Sequence, residues 1–256
     1  MKKALTSALI TYRRYRATSA KRRVYRAARY TFFSFVLAYI LLLCFPQVLF
    51  GHQVVSGNVT VYSREPVDQN INTVLERAQL RLATSPINSA EVKPKIFLTN
   101  SFRFYSVISL YVGNNSFGKG YAALYTNNVF INKSDTANDL VLLNTADHNQ
   151  RSLSGVIAHE ITHLLIRKRF GYWRNLTMPT WKKEGYAEYV AGSSTLDYET
   201  GARMWKTNPR DGTGYQYFKY FMLVKYLLEH DKLSVDDLFN RDFDVQVLEE
   251  RVLKSL

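Results

Sequence analysis

The chain is poor in residues that staple or break small folds, with one cysteine and six prolines in 256 residues. A single cysteine forms no internal disulfide, which excludes a cross-linked scaffold and leaves stability to a hydrophobic core. At 46% hydrophobic and 21% charged, the composition also excludes a mostly disordered chain. Acidic residues are missing from positions 1–30, which hold ten Lys and Arg. Charge of either sign is then missing from Thr31 to Ser63. The formal charge of +13 therefore belongs to the N-terminus, because residues 31–256 hold 24 Lys and Arg against 21 Asp and Glu. Ten cations abutting an apolar run set membrane topology and touch anionic lipid, so no nucleic-acid partner is expected.

That apolar run, Thr31 to Phe50, reads TFFSFVLAYILLLCFPQVLF. As a helix it spans about 30 Å, the thickness of the hydrocarbon core of a bilayer. A buried core helix rarely runs twenty residues without a charged face, and Pro46 weakens or kinks only the far end. A cleavable signal fits poorly, since the basic region is long and no small-x-small site follows; Leu43 likewise disfavours a lipid-anchor site at Cys44. The expected organisation is a basic cytoplasmic tail over 1–30, a single-pass anchor over 31–50, and an extracytoplasmic domain over 51–256. The positive-inside rule gives the orientation.

Beyond the anchor, His52 to Ser63 alternates loosely as a linker or short strand. Ile71, Val74, Leu75, Ala78 and Leu82 recur at helical spacing after a cap at Asp68 or Asn70, and the helix ends at Thr84-Ser85-Pro86. Lys95–Thr99 is a compact strand, and a short aromatic helix follows near Phe102–Tyr111. Gly113 to Gly120 is a turn-rich loop. Tyr121–Ile131 reads as a strand open to interruption at Asn127-Asn128, and Leu140–Leu143 as another short strand. A helix capped by Ser152 or Ser154 runs to Arg169 and stops at Gly171. A second starts after Pro179 and closes at Gly192, a third covers Tyr215 to His230, and two short helices finish the chain. Strands first and helices later predict an α+β fold.

The helix from Ser152 contains His159-Glu160-Ile161-Thr162-His163, an HExxH pattern. Histidines at i and i+4 share one face, so both imidazoles reach one metal ion, and Glu160 is placed to polarise its water. Apolar residues on both sides of the motif predict a helix buried on most sides, where paired histidines need partners. A catalytic zinc needs a third protein ligand. Position 166 is Ile and position 169 is Arg, which excludes the metzincin pattern. His148, His230 and Glu184 remain.

Glu184 lies in Trp181-Lys182-Lys183-Glu184-Gly185-Tyr186-Ala187-Glu188-Tyr189, which resembles the WxxEGxAEY segment of the gluzincin zinc metallopeptidases. The resemblance spans roughly Lys95 to Leu228 and is specific at the two motifs. It implies a small mixed sheet packed on the active-site helix, with a helical C-terminal part. It also implies one Zn2+ held by His159, His163 and Glu184, with Glu160 as general base. Glu188, one turn further on, is implied to bond the free nitrogen of His159. Gly185 and Ala187 are expected to let the two metal-sharing helices approach. Tyr121–Ile131 is the run that fits a cleft-lining strand, with a plain core strand as the equal alternative. No GxMEN-type segment stands upstream, which disfavours that kind of exopeptidase. Tyr215 and Tyr217 open the third helix at the place where an oxyanion-stabilising residue fits the order of elements, with packing or surface the favoured alternative for either one.

The expected activity is hydrolysis of a peptide or protein substrate, with water activated by zinc and its proton taken by Glu160. The rival expectation is a membrane-anchored binding module that keeps the peptidase fold without turnover.

Overall fold

The structure, a computed structural model, describes residues 2–109, 120–142, 151–207 and 213–256. Two compact units divide it, Met1–Pro46 and Gln47–Leu256. Tyr111, residues 113–119 of the expected loop, Leu143 and His148 lie outside the described residues.

The first unit is a continuous helix, α1, Lys2–Cys44. Its segment Lys21–Cys44, which contains an 18-residue stretch with a mean hydropathy of 1.8, is long and apolar enough to cross a membrane. The helix ends earlier than the apolar run. Pro46 disfavours helical geometry in the residue before it and opens a 3-10 turn, Pro46–Leu49. Phe50, the last residue of the run, is buried in the second unit, its ring 5.0 Å from that of Phe97 and 5.8 Å from that of Phe104. The apolar run therefore serves two structures. Its body is helix, and its end is core.

The second unit is α+β. Five strands form a mixed sheet in the order β1-β2-β3-β5-β4. The strands β1 (His52–Ser56) and β2 (Val59–Ser63) form an antiparallel hairpin that turns at Gly57, with φ 58°. β2, β3 (Lys95–Leu98) and β5 (Asn128–Ile131) run parallel, and β4 (Gly120–Ala122) is an antiparallel edge strand. The run Tyr121–Ile131 is thus two strands of a hairpin, closed by the bond from the Ala123 N–H to the Asn128 carbonyl, 2.9 Å.

Alternation along the strands splits the sheet into two chemistries. One face carries Val61, Ile96, Leu98, Val129 and Ile131 into the main aliphatic core. On the other face Tyr62, Phe97, Phe130 and Tyr121 stand in register across four strands, with neighbouring centroids 4.9, 5.1 and 6.4 Å apart. Such cross-strand aromatic pairs hold register as well as area.

The helix α2 (Ile71–Ala83) buries the five residues its periodicity selects and packs on α4 (Leu153–Phe170). Residue 70 occupies the N-cap, and the Asp68 carboxylate accepts from its N–H at 2.7 Å. α3 (Phe102–Ser109) follows β3. A small sheet of β6 (Ser134–Asp135), β7 (Leu140–Val141) and β8 (Arg151–Ser152) leads into α4. Helices α5 (Tyr172–Thr177), α6 (Thr180–Ala191), α7 (Tyr198–Thr207), α8 (Thr213–Lys225), α9 (Val235–Asn240) and α10 (Val245–Ser255) complete the unit. α8 runs into a π-helical turn, Tyr226–His230. α5 and α7 are additions to the expected set.

Phe50 tests where the second unit begins. In a fragment spanning Gln47–Leu256, Phe50→Ala is expected to lower the unfolding free energy by about 3 kcal/mol. Urea titration followed by circular dichroism measures it, and an unchanged midpoint contradicts the assignment of Phe50 to this core.

Candidate metal centre

α4 is fixed firmly at its start. The Ser152 hydroxyl caps it, accepting from the Gly155 N–H at 3.1 Å. The buried Asp139 carboxylate accepts from the Ser154 N–H at 2.7 Å and the Ser154 hydroxyl at 2.8 Å. Arg77 of α2 donates to the same carboxylate at 3.1 Å. Ser152 is therefore the cap, and Ser154 the next residue along held by Asp139. Gly171, with φ 87°, ends the helix, and every residue from Leu153 to Thr162 is buried.

His159 and His163 lie one turn apart on α4, with their Nε2 atoms 3.2 Å from each other. Glu184 of α6 brings Oε2 to 3.3 Å from His159 Nε2 and 3.5 Å from His163 Nε2. These three donors form a cluster that could hold a metal ion. Their spacing is informative. Around a four-coordinate ion with bonds of about 2.0–2.1 Å, donor atoms stand about 3.3–3.4 Å apart. The triangle is already at tetrahedral size.

Glu188, one turn beyond Glu184, turns inward to the other side of His159. Its Oε1 lies 3.1 Å from His159 Nδ1 and 2.6 Å from Arg151 Nη1. The histidine contact is close but poorly aligned, so Nδ1 meets no strict hydrogen-bond geometry, whereas the arginine bond is short and direct. The second guanidinium nitrogen donates to the Ser193 carbonyl at 3.1 Å. Arg151 thus belongs to the site, and the sequence offered no pattern for it.

Glu160 points to the opposite side, under the edge strand. A Cβ placed on Gly120 meets Glu160 Cγ and Oε1 at 2.7 Å, so only glycine lets β4 lie this close. The electrostatics follow from this crowding. Burial raises the Glu160 carboxyl above its ordinary value, and the two histidines pull it part of the way back. Burial works against the charged forms of Glu184 and Glu188 too. The histidines outweigh it for Glu184, and Arg151 with His159 outweighs it for Glu188, so both carboxyls end well below the usual range. For His159, burial alone lowers the value, but the Glu184 and Glu188 carboxylates drive it up to about 10. A proton on His159 supplies the positive charge that three surrounding carboxylates demand.

The remaining expected residues are distributed as follows. Tyr215 is buried with Lys219 over its ring at 5.9 Å, and Tyr217 packs beside Tyr220 at 6.3 Å. Tyr220 stands within electrostatic reach of Glu184, and Tyr121 of β4 within reach of Glu160. His230 is exposed, stacked on Tyr226 at 4.3 Å and 2.9 Å from Asp231, outside the donor cluster. Gly185 opens toward α8 rather than α4. A Cβ there meets the Tyr220 carbonyl and, at 2.7 Å, Val224 Cγ2. The small residue admits a third helix behind the ligand.

Two outcomes are expected. Gly120→Ala displaces Glu160 or β4, which a changed amide spectrum at residues 120–122 and 160 registers; an undisturbed spectrum contradicts the contact. The second concerns pH. His159 has a raised folded value, so in the metal-free protein its contribution to stability is complete below its unfolded value, 6.5, and is lost as pH rises toward about 10. Thermal melting in chelator is expected to decline across that window, and to decline less in His159→Gln. Identical profiles contradict the assignment. In comparisons with known proteins, no protein-family model matches the chain and no curated protein matches it significantly.

Proposed function

We propose that the second unit is a zinc-dependent peptidase of the gluzincin type. In this reading α1 anchors it, with residues 1–30 cytoplasmic and the catalytic unit across the membrane. The observation that carries the proposal is the donor triangle of His159, His163 and Glu184 at tetrahedral spacing, with Glu160 beside it. The charges fit as well. The Glu184 and Glu188 carboxylates, with the Glu160 carboxyl beside them, outnumber the one guanidinium of Arg151, so the pocket favours a cation.

The protein groups divide the work by position. His159, His163 and Glu184 would hold the ion, with the Glu188 carboxylate keeping the proton of His159 on Nδ1 so that Nε2 is free as a donor atom. A divalent ion there supplies Lewis acidity, which makes water a nucleophile near neutral pH and polarises a carbonyl. Glu160 accepts the proton of the attacking water and delivers it to the leaving amine. Its burial supports that role, because a carboxyl raised above its ordinary value lies closer to the working pH. β4, an edge strand among the described residues, would offer main-chain groups to an extended peptide, and Tyr121 and Tyr220, within electrostatic reach of Glu160 and Glu184, would stand near its reacting carbonyl. Tyr220 therefore joins Tyr215 and Tyr217 as a residue for oxyanion stabilisation.

The binding-module alternative has no specific observation in its favour. It leaves a buried carboxylate at position 160 without a task.

Glu160→Gln is expected to retain zinc at one ion per chain while lowering kcat by about 10²–10⁴-fold. Glu184→Ala is expected to leave the purified protein below one zinc per chain. Elemental analysis paired with cleavage of an unstructured protein, with and without chelator, checks both. Normal turnover by Glu160→Gln overturns the role of Glu160, and full zinc in Glu184→Ala overturns the ligand set.

A further inference from the structure

α5 is a helix in which no residue is buried. It nevertheless carries Tyr172 and Trp173, and Trp173 is 80% exposed. Its neighbour in space is Tyr125 of the β4–β5 turn, 76% exposed. The rings form a chain, Tyr125 to Tyr172 at 5.2 Å and Tyr172 to Trp173 at 5.4 Å edge-on. Rings that brace one another lose little freedom on binding, and contiguous exposed aromatics mark contact surfaces. Beside them lies a cavity of about 440 Å³ lined by Leu124, Leu164, Arg167 and Lys168.

Charge adds a second constraint. From Arg167 to Lys183 the chain holds six cations and no acid. Lys168 is paired with Glu91 at 2.7 Å and Arg169 with Asp236 at 2.6 Å. Arg167 and Arg174 have no such partner among the described residues. Arg167 donates to the carbonyls of Ala123 at 2.7 Å and Leu124 at 2.8 Å, and also to that of Thr126. Arg174 donates to the Phe239 carbonyl at 3.1 Å and to the Asn240 side chain. The Arg167 guanidinium thus lies against the Tyr125 turn, held by carbonyl oxygens, and Arg174 follows Trp173 on α5.

Position gives the third. Arg167 ties the β4–β5 turn to α4 and lies seven residues past Glu160, about 10 Å along the helix axis. That is about three residues of extended chain. A peptide lying on the open edge of β4 with its reacting carbonyl at Glu160 therefore reaches Tyr125 within a few residues. The surface lies away from the strand end at which the chain enters the second unit. The second unit's first strand starts at His52, which pairs with Ser63 at the C-terminal end of β2, while the Tyr125 turn leads into the opposite, N-terminal end of the parallel β5.

We propose that Tyr125, Tyr172 and Trp173, with Arg167 and Arg174, form an exosite for an extended, acidic and apolar segment of the polypeptide substrate. The exosite rests on the peptidase reading for its purpose, and on its own geometry for its binding.

Binding is measured on the full chain in maltoside micelles, as Glu160→Gln so that nothing is cleaved. The probe is a blocked twelve-residue peptide alternating Phe and Glu, and the control replaces Glu with Lys and Phe with Ser. Trp181 and Trp205 are 8% and 6% exposed, so a change in tryptophan emission reports Trp173. A saturable blue shift with the acidic peptide alone is expected, and Tyr125→Ala should weaken it about tenfold. No shift, or an equal shift with the control, overturns the exosite. So does emission already blue-shifted without peptide when the chain is reconstituted in phosphatidylglycerol vesicles, which assigns the surface to lipid.

Kinetics separate the exosite from the peptidase reading. In the active chain, substrates extended by four or more residues toward the exosite should show a KM about tenfold lower at unchanged kcat, and Tyr125→Ala should abolish that advantage. Cleavage without any such advantage removes the exosite and leaves the peptidase. Peptide binding that depends on Trp173, without cleavage under any divalent metal, removes the peptidase and leaves the binding surface.

Discussion

The carboxylate of Glu188 is 0% exposed, and it must remain charged inside the protein. Taking such a group out of water costs several kcal/mol unless partners replace the lost hydration. Arg151 meets that demand at 2.6 Å, and His159 stands against the same oxygen. One acid therefore ties together β8, α4 and α6. Since Glu184 lies one turn before Glu188, the rotation of α6 that satisfies the buried pair also points Glu184 at the imidazoles. The donor triangle is a consequence of that constraint as much as of its own residues.

The same pairing explains how the site tolerates its charge. Three carboxylates crowd two imidazoles in a buried space, and Arg151 offsets one of them. The protonated His159 of the metal-free protein carries part of the remaining balance, which is why its value climbs to about 10 despite burial. A cation entering the triangle would take over that task and displace the proton. Metal affinity and proton release are in this way linked through one imidazole.

The helices around the site were legible in the sequence for different reasons, α2 from its periodic apolar face and α4 and α6 from their motifs and their distinct ends. α2, α4 and α6 follow their predicted limits closely, with Ser152, Gly171 and Gly192 acting as written signals. What escaped the sequence was non-local. Arg151 finds its acid 37 positions away, and no local pattern announces that pairing. Gly185 is small for the sake of α8, a helix that periodicity locates without saying which neighbour it meets. The run Tyr121–Ile131 concealed a hairpin, since its polar turn at Tyr125–Asn127 is stabilised by Arg167 from another element rather than by a glycine of its own. α5 escaped because it buries nothing, and Phe50 because an apolar residue at the end of an apolar run reads as more of the same.

Glu160 is the residue on which the proposed chemistry and a purely structural role make different demands. Glu184 and Glu188 each gain close partners from their burial, but Glu160 gains crowding, with the edge strand held over it by a glycine and its carboxyl pushed above the ordinary value. A fold retained only for binding has no use for that strain, because an apolar residue of similar volume at position 160 would be neutral or stabilising. Destabilised ionisable groups cluster at functional sites, and β4, an edge strand of the five-stranded sheet, passes directly over this one. On the peptidase reading proposed above, the cost of burying Glu160 is the stability that a general base would require, set against the secure pairing of Glu188 one helix away.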